Sequence, residues 1–344
     1  MSTMKHLLFE KRVPLIWVVV LAFASIGILS SFVLIQKKIS DKNTVSLATT
    51  SVVNDCIGNM DQIREKRSQY VKPLLLTDVV IQDRAMSGLR TELQSYINQK
   101  VSSNALQVAS VYVRKMDNGS HIFINENEVF NPASLMKVAY LISYLEEEDM
   151  KPGKLQKRLY FDKHYSAGNN QNIVDFQLKE HSYYTVAELM YAMIVYSDND
   201  ATTVLMQNLN NTIFQKVFAD LQLPPPPVQG EYFIGADDYA RFFRVLYSST
   251  YLSAKSSEYA IELLLKSSFK DGICSTLDPK IPVAHKFGER VLNSVAQLHE
   301  CGIVYYNDSP YLICVMSKGN SLDPLKQVMG EISSMVFRYM KTNS

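Results

Sequence analysis

Tryptophan is nearly missing from the 344-residue chain: one copy stands against twenty tyrosines and fifteen phenylalanines. The aromatic supply is that of a packed core and excludes a disordered chain. Charge of one sign is missing too, since Lys and Arg total 35 against 34 Asp and Glu, for a net charge of +1. No basic patch with interleaved aromatics occurs, so nucleic acid is not an expected partner. Cysteine is sparse. Cys56, Cys274, Cys301 and Cys314 follow no metal-binding spacing and the histidines form no ligand cluster, so neither metal nor cofactor is expected. Cys301 and Cys314 fall in consecutive strand-like runs, where a disulfide and free thiols are both open readings. With 47% apolar and 20% charged residues, the chain is long enough for one large core plus an appendage.

One long apolar run is present. Residues 13 to 36 carry no charge and suffice for a membrane-spanning helix of about 20 residues. A cleaved signal peptide with a site near Ala22-Phe23-Ala24 is the alternative, but the apolar run continues through Ile26, Leu29 and Val33. The expected organisation is therefore a short N-terminus at 1–12, a signal-anchor helix at 13–36, a partly helical tether at 37–81 and one domain at 82–344. Lys5, Lys11 and Arg12 on one flank match Lys37, Lys38 and Lys42 on the other, so charge does not set the orientation.

Within the large domain, Leu89, Leu93, Tyr96 and Ile97 recur at helical spacing. Two strands follow around 109–115 and 121–125, joined by the hairpin signal Asp117-Asn118-Gly119. The middle, 134–268, reads as helical, with Thr185 as a candidate cap and four prolines stiffening 224–227. Strands are expected at 284–287, 302–306 and 311–316, then a closing amphipathic helix over 325–339. The fold class is thus α+β, an antiparallel sheet beside a helical lobe.

Chemistry concentrates at three places. Ser134 lies three residues before Lys137 at the start of an apolar helix, so both share a face. Burial of that lysine would lower its pKa toward that of a useful base. Ser197-Asp198-Asn199 sits between two helices, where a loop can aim side chains into a cleft. Lys286-Phe287-Gly288 opens the strand-rich tail. Each motif alone is weak.

Taken in order, S-x-x-K, S-D-N and a K-T-G-like triplet are the signature of class A β-lactamases and penicillin-binding proteins. Over roughly residues 82 to 342 the chain resembles that serine-hydrolase superfamily, most closely its class A β-lactamase-like branch. The resemblance implies an acyl-enzyme on Ser134, with Lys137 as base and Ser197 relaying a proton to the leaving amine. It implies substrate contacts from Asn199, Lys286, Phe287 and Gly288, and an oxyanion hole from the backbone N–H groups of Ser134 and Glu289. It also implies a domain outside the cytoplasm, acting on a peptidoglycan-type envelope peptide or amide. A β-lactam-hydrolysing enzyme and an inactive envelope-binding protein are the alternatives; no oligomeric state is implied.

Two departures from the family pattern stand out. No E-x-x-L-N motif lies between Asn199 and Lys286, and Glu231 is the only glutamate of the 221–235 loop, hence the only candidate there for a deacylating base. Phe287 replaces the usual hydroxyl residue, which removes a hydrogen-bond donor.

Overall fold

The structure is a computed structural model that describes residues 63–64, 69–71, 74–76, 86–165, 176–227 and 229–343. Residues 60–70 read as helix-compatible, but two short strands, β1 (Ile63–Arg64) and β2 (Leu74–Leu76), pair antiparallel across this region. Part of the expected tether is docked on the domain. The backbone N–H groups of Tyr70 and Val71 donate to the Glu258 carboxylate at 2.9 and 2.7 Å, and Val71 is buried.

Helix α1 (Ser87–Ser102) buries Leu89, Leu93 and Ile97, one stripe at four-residue spacing. Strands β3 (Val108–Lys115) and β4 (His121–Ile124) form the hairpin read from Asn118-Gly119. A 3₁₀ turn (Ala133–Met136) leads into α2 (Lys137–Met150). The expected helical middle is interrupted by a hairpin of β5 (Arg158–Phe161) and β6 (Ser182–Thr185). The Arg-Leu-Tyr-Phe alternation of β5 carries that signal in the sequence, with Leu159 and Phe161 inward and Arg158 and Tyr160 outward.

Helix α3 (Val186–Val195) opens on a capping box. Thr185 Oγ1 accepts from the Glu188 N–H at 3.1 Å, and the Glu188 carboxylate accepts from the Thr185 N–H at 2.7 Å. Four helices complete the lobe: α4 (Asn199–Gln207), α5 (Asn211–Asp220), α6 (Ala236–Ser248) and α7 (Ala254–Leu265). After a 3₁₀ turn (Ile273–Thr276) come β7 (Val283–Leu292), β8 (Val295–Val304), β9 (Tyr311–Gly319) and α8 (Leu322–Thr342). The β7–β8 hairpin is longer than its sequence suggests. It turns at Asn293 and Ser294, both left-handed with φ of 50° and 64°, as a tight twisted hairpin requires.

The central sheet is antiparallel in the order β4-β3-β9-β8-β7. Its faces separate two cores. On β9, Leu312, Cys314 and Met316 face the helical lobe with Tyr112 of β3, whereas Tyr311, Ile313 and Val315 face α1 and α8 with Val111 and Val113. Burial on both faces explains the uninterrupted apolar reading of 311–316. Cys301 and Cys314 stand directly opposite each other on β8 and β9 as buried free thiols.

The expected single-pass membrane anchor requires correction. Among the described residues no helix is long and apolar enough to cross a membrane. The longest of them, α8, carries Asp323, Lys326, Glu331, Arg338 and Lys341. The apolar run at 13–36 lies outside the described residues, as do the 1–12 segment and Cys56. The membrane partner and the single-pass localisation expected from that run are therefore not carried forward.

Replacing Thr185 by Ala removes the α3 cap and should cost about 1 kcal/mol. Urea unfolding should show a lower midpoint with an unchanged slope; an unshifted midpoint would show that the cap is energetically idle.

Candidate active site

The turn that carries Ser134 is held from three sides. Phe130 bridges to Ile234 through paired backbone hydrogen bonds of 3.0 Å. Asn131 Oδ1 accepts from the Ala133 N–H at 3.0 Å, and Ala133 is left-handed at φ 48°. A non-glycine residue there stores strain that the surroundings must hold. Buried Tyr239 donates its hydroxyl to the Leu135 carbonyl at 2.8 Å. Ser134 is half-buried within the 3₁₀ turn rather than the first turn of an α-helix. Lys137 is the first residue of α2, and its backbone N–H reaches back to the Ser134 carbonyl.

Lys137 is 3% exposed. Its Nζ donates to the Ser197 carbonyl at 2.6 Å and to Asn199 Oδ1 at 2.8 Å, with Ser197 Oγ at 3.1 Å. Two carbonyl-type oxygens and the Ser197 hydroxyl are all placed to accept from this amine. Burial lowers the Lys137 pKa to about 7, partly opposed by Asp198.

Lys286 is fully buried and donates to the same Ser197 Oγ at 2.9 Å and to the Phe287 carbonyl at 3.0 Å. Burial and the Lys137 charge push its pKa well down, while Glu300 and Glu289 oppose that. Two amines thus meet on one hydroxyl. Ser197 is itself left-handed at φ 56°. Asp198 caps α4 by accepting from the Ala201 N–H at 2.6 Å, and Asp200 holds His164 Nδ1 at 2.6 Å. These caps fix where the loop points Ser197 and Asn199.

Gly288 brings β7 against the nucleophile turn. A Cβ there would lie 2.7 Å from the Pro132 carbonyl oxygen and 3.1 Å from the backbone nitrogens of Ser134 and Leu135. Strand alternation puts Lys286 and Gly288 on one side of β7. Phe287 goes elsewhere. Its ring is buried, stacks on Phe269 at 4.2 Å, and lies 4.3 Å from Lys286 Nζ. The ring thus packs over the Lys286 amine. Glu289 follows Gly288 on the strand and is half-buried. Glu231 is exposed and ion-paired with Arg290 of β7, which holds its carboxyl pKa below the usual range. Among the residues singled out in the sequence, Lys137, Ser197, Asn199 and Lys286 share one hydrogen-bond cluster, and Ser134 and Gly288 meet through backbone. Sequence reasoning missed Tyr239, Ala133 and His164; none lies in a motif, and only Tyr239 recurs on an apolar helical stripe.

An antiparallel sheet, a helical lobe, and a serine turn beside a buried lysine–hydroxyl–lysine cluster are the fold of the β-lactamase and penicillin-binding-protein-like serine hydrolases. Residues 90–340 match the model of the beta-lactamase enzyme family, and the chain belongs to that family. Among solved structures it is similar to PBP-A, at 21% identity and a TM-score of 0.65, covering 77% of this chain and all of that one (100%). A PBP-A variant in acyl-enzyme complex with penicillin G aligns at 21% identity and TM-score 0.64, over 75% of this chain and 97% of that one. A β-lactamase from Sphaerobacter thermophilus aligns at 19% identity and TM-score 0.63, over 76% and 98% respectively. No curated protein matches the chain.

These likenesses correct the expected function as well. They show the fold alone and supply no peptidoglycan substrate for a membrane-anchored envelope enzyme.

Replacing Gly288 by Ala should force β7 away from the Ser134 N–H. Acylation of Ser134 by a β-lactam should fall roughly a hundredfold, as for loss of an oxyanion donor, with the thermal unfolding temperature changed by only a few degrees. Unchanged acylation kinetics would show that the close approach has no part in the chemistry.

Proposed function

We propose that the chain is a serine hydrolase of the class A-like type that opens β-lactam rings through an acyl-enzyme on Ser134, with a non-standard deacylation base. The observation that carries this reading is the buried Lys137 amine, held against Ser197 and Asn199 with its pKa lowered by burial to about 7, so that a substantial share of it is unprotonated near neutral pH.

In the acylation step Lys137 takes the Ser134 hydroxyl proton, and Ser134 Oγ forms a bond to the lactam carbonyl carbon. The backbone N–H groups of Ser134 and Glu289 donate to the developing oxyanion. The C–N bond then breaks, and the leaving nitrogen receives a proton through Ser197, which Lys137 replenishes with the proton taken from Ser134. In deacylation Lys137, neutral again, takes a proton from water. The hydroxide adds to the ester carbonyl, and Ser134 leaves with that proton. Asn199 orients Lys137 and hydrogen-bonds the acyl-side amide. Lys286 acts through Ser197, donating to its Oγ at 2.9 Å. Glu231 is a poor base: its carboxylate is ion-paired to Arg290 and exposed. With Lys137 serving both steps and no hydroxyl at Phe287, turnover is slow and the acyl-enzyme accumulates.

Incubation of the full chain with penicillin G should add the mass of one intact penicillin, lost in Ser134→Ala and released as product over several turnovers. Absence of any adduct and of any hydrolysis would overturn the reading; an adduct that never releases would reduce it to acylation alone. The acylation rate constant should fall about tenfold per pH unit below about pH 7, because only the unprotonated amine accepts the serine proton. Lys137→Ala should lower that constant on the order of 10²–10⁴-fold and abolish the acid limb. An acid limb that survives in Lys137→Ala would assign the base elsewhere.

A further inference from the structure

The helical lobe carries a cavity that the serine chemistry does not use. It lies between α3 and α7 and has a volume of about 400 Å³. The two helices face it with stripes at helical spacing, Ala187 and Tyr191 on one, Tyr259 and Leu263 on the other. Phe176 and Tyr184 complete the wall.

The walls are held by contacts of their own, which keeps the space from closing. The Tyr184 hydroxyl accepts from the Lys179 N–H at 2.7 Å. The Phe176 ring stacks nearly parallel on Tyr196 at 5.0 Å, and Tyr191 meets the same ring edge-on at 5.8 Å. Four aromatic rings thus line one cavity, and two of them are braced on the residue just before Ser197. Charge at the rim is asymmetric. Glu188 is committed: its carboxylate accepts from the Thr185 N–H and hydroxyl at 2.7 and 2.8 Å, and the Arg158 charge acts on it as well. Lys266 is exposed, stands 5.9 Å from the centre of the Tyr191 ring, and pairs with no carboxylate among the described residues.

We propose that this cavity binds a small aromatic carboxylate, its ring among the tyrosines and its anionic group on Lys266. A volume of this size holds a bicyclic ligand, and an aromatic wall with a few polar groups at its edge is the usual make-up of a small-molecule site. Tyrosine rings prefer offset or edge-on contacts with another ring, which favours a ring-bearing ligand over an aliphatic one. The uncommitted ammonium offers donors only, and a carboxylate offers acceptors only, so the two match. A cationic ligand would meet Lys266 as a like charge, which discriminates against it. Through Tyr196 the wall adjoins the loop of Ser197, but binding here does not rest on the proposed β-lactam chemistry.

The test titrates the full chain with naphthalene-2-carboxylate by isothermal calorimetry. One equivalent should bind with a Kd below about 1 mM. Ala187→Trp, which fills the cavity, should weaken binding at least tenfold. Tyr191→Ser, at an exposed position that leaves the core intact, should weaken it severalfold. Naphthalene-2-carboxamide, the uncharged analogue, should bind about two- to fivefold more weakly than the acid to the unmodified chain, and equally well to Lys266→Gln. Absence of binding at millimolar ligand, or affinity unchanged in Tyr191→Ser and in a folded Ala187→Trp, would overturn the site. A preference for the acid that survives in Lys266→Gln would overturn the assigned anion contact. Penicillin G acylation is measured separately on the same samples, so failure of this site and failure of the proposed hydrolase activity are distinguishable.

Discussion

The structure depends on two lysine amines held on a single hydroxyl out of contact with bulk water. Lys137 and Lys286 approach Ser197 Oγ to 3.1 and 2.9 Å. Two full positive charges that close, in a dry site, repel strongly. The fold resolves the conflict by depressing both pKa values and by giving each amine a carbonyl acceptor. The resulting neutral amine is the basis of the proposed chemistry. A lysine at the same position on an open surface would remain an ammonium ion.

Holding that cluster requires three separate parts of the chain to converge. The 3₁₀ turn brings Ser134 and Lys137, the capped start of α4 brings Ser197 and Asn199, and β7 brings Lys286. Ala133 and Ser197, left-handed without being glycine, mark where the backbone bends to meet these demands. Gly288 is the reverse device, a missing side chain that lets a strand touch a turn. The two cores on either face of the sheet keep the parts in register.

Much of this was legible in the sequence, for physical reasons. The β9 strand announces itself because burial on both faces makes it continuously apolar. Helix α1 announces itself because only Leu89, Leu93 and Ile97 need burial. The ordered motifs locate the chemistry because proton transfer demands those residue types together. The rest depends on contacts distant in sequence. The β5–β6 hairpin spans a long excursion with a short alternation. The inner half of the β7–β8 hairpin is obscured by half-exposed polar residues such as Arg290 and Gln297. Nothing in the sequence pairs Phe287 with Phe269, whose ring stacks on it. Glu231 reads as a free carboxylate until Arg290, far along the chain, pairs with it.

The first and last helices pack together behind the sheet. Glu92, near the start of α1, binds Arg338, near the end of α8, at 2.6 Å. Lys115 of β3 reaches the carbonyl of Asn343 just beyond α8 at 3.0 Å. The two boundaries of the domain are therefore neighbours in space, on the face of the sheet turned away from the helical lobe. Joining them by a short linker would close a small gap, as in folds whose order can be circularly permuted. New ends could then be opened at an exposed loop tip, with the serine turn and its lysines left in one uncut stretch.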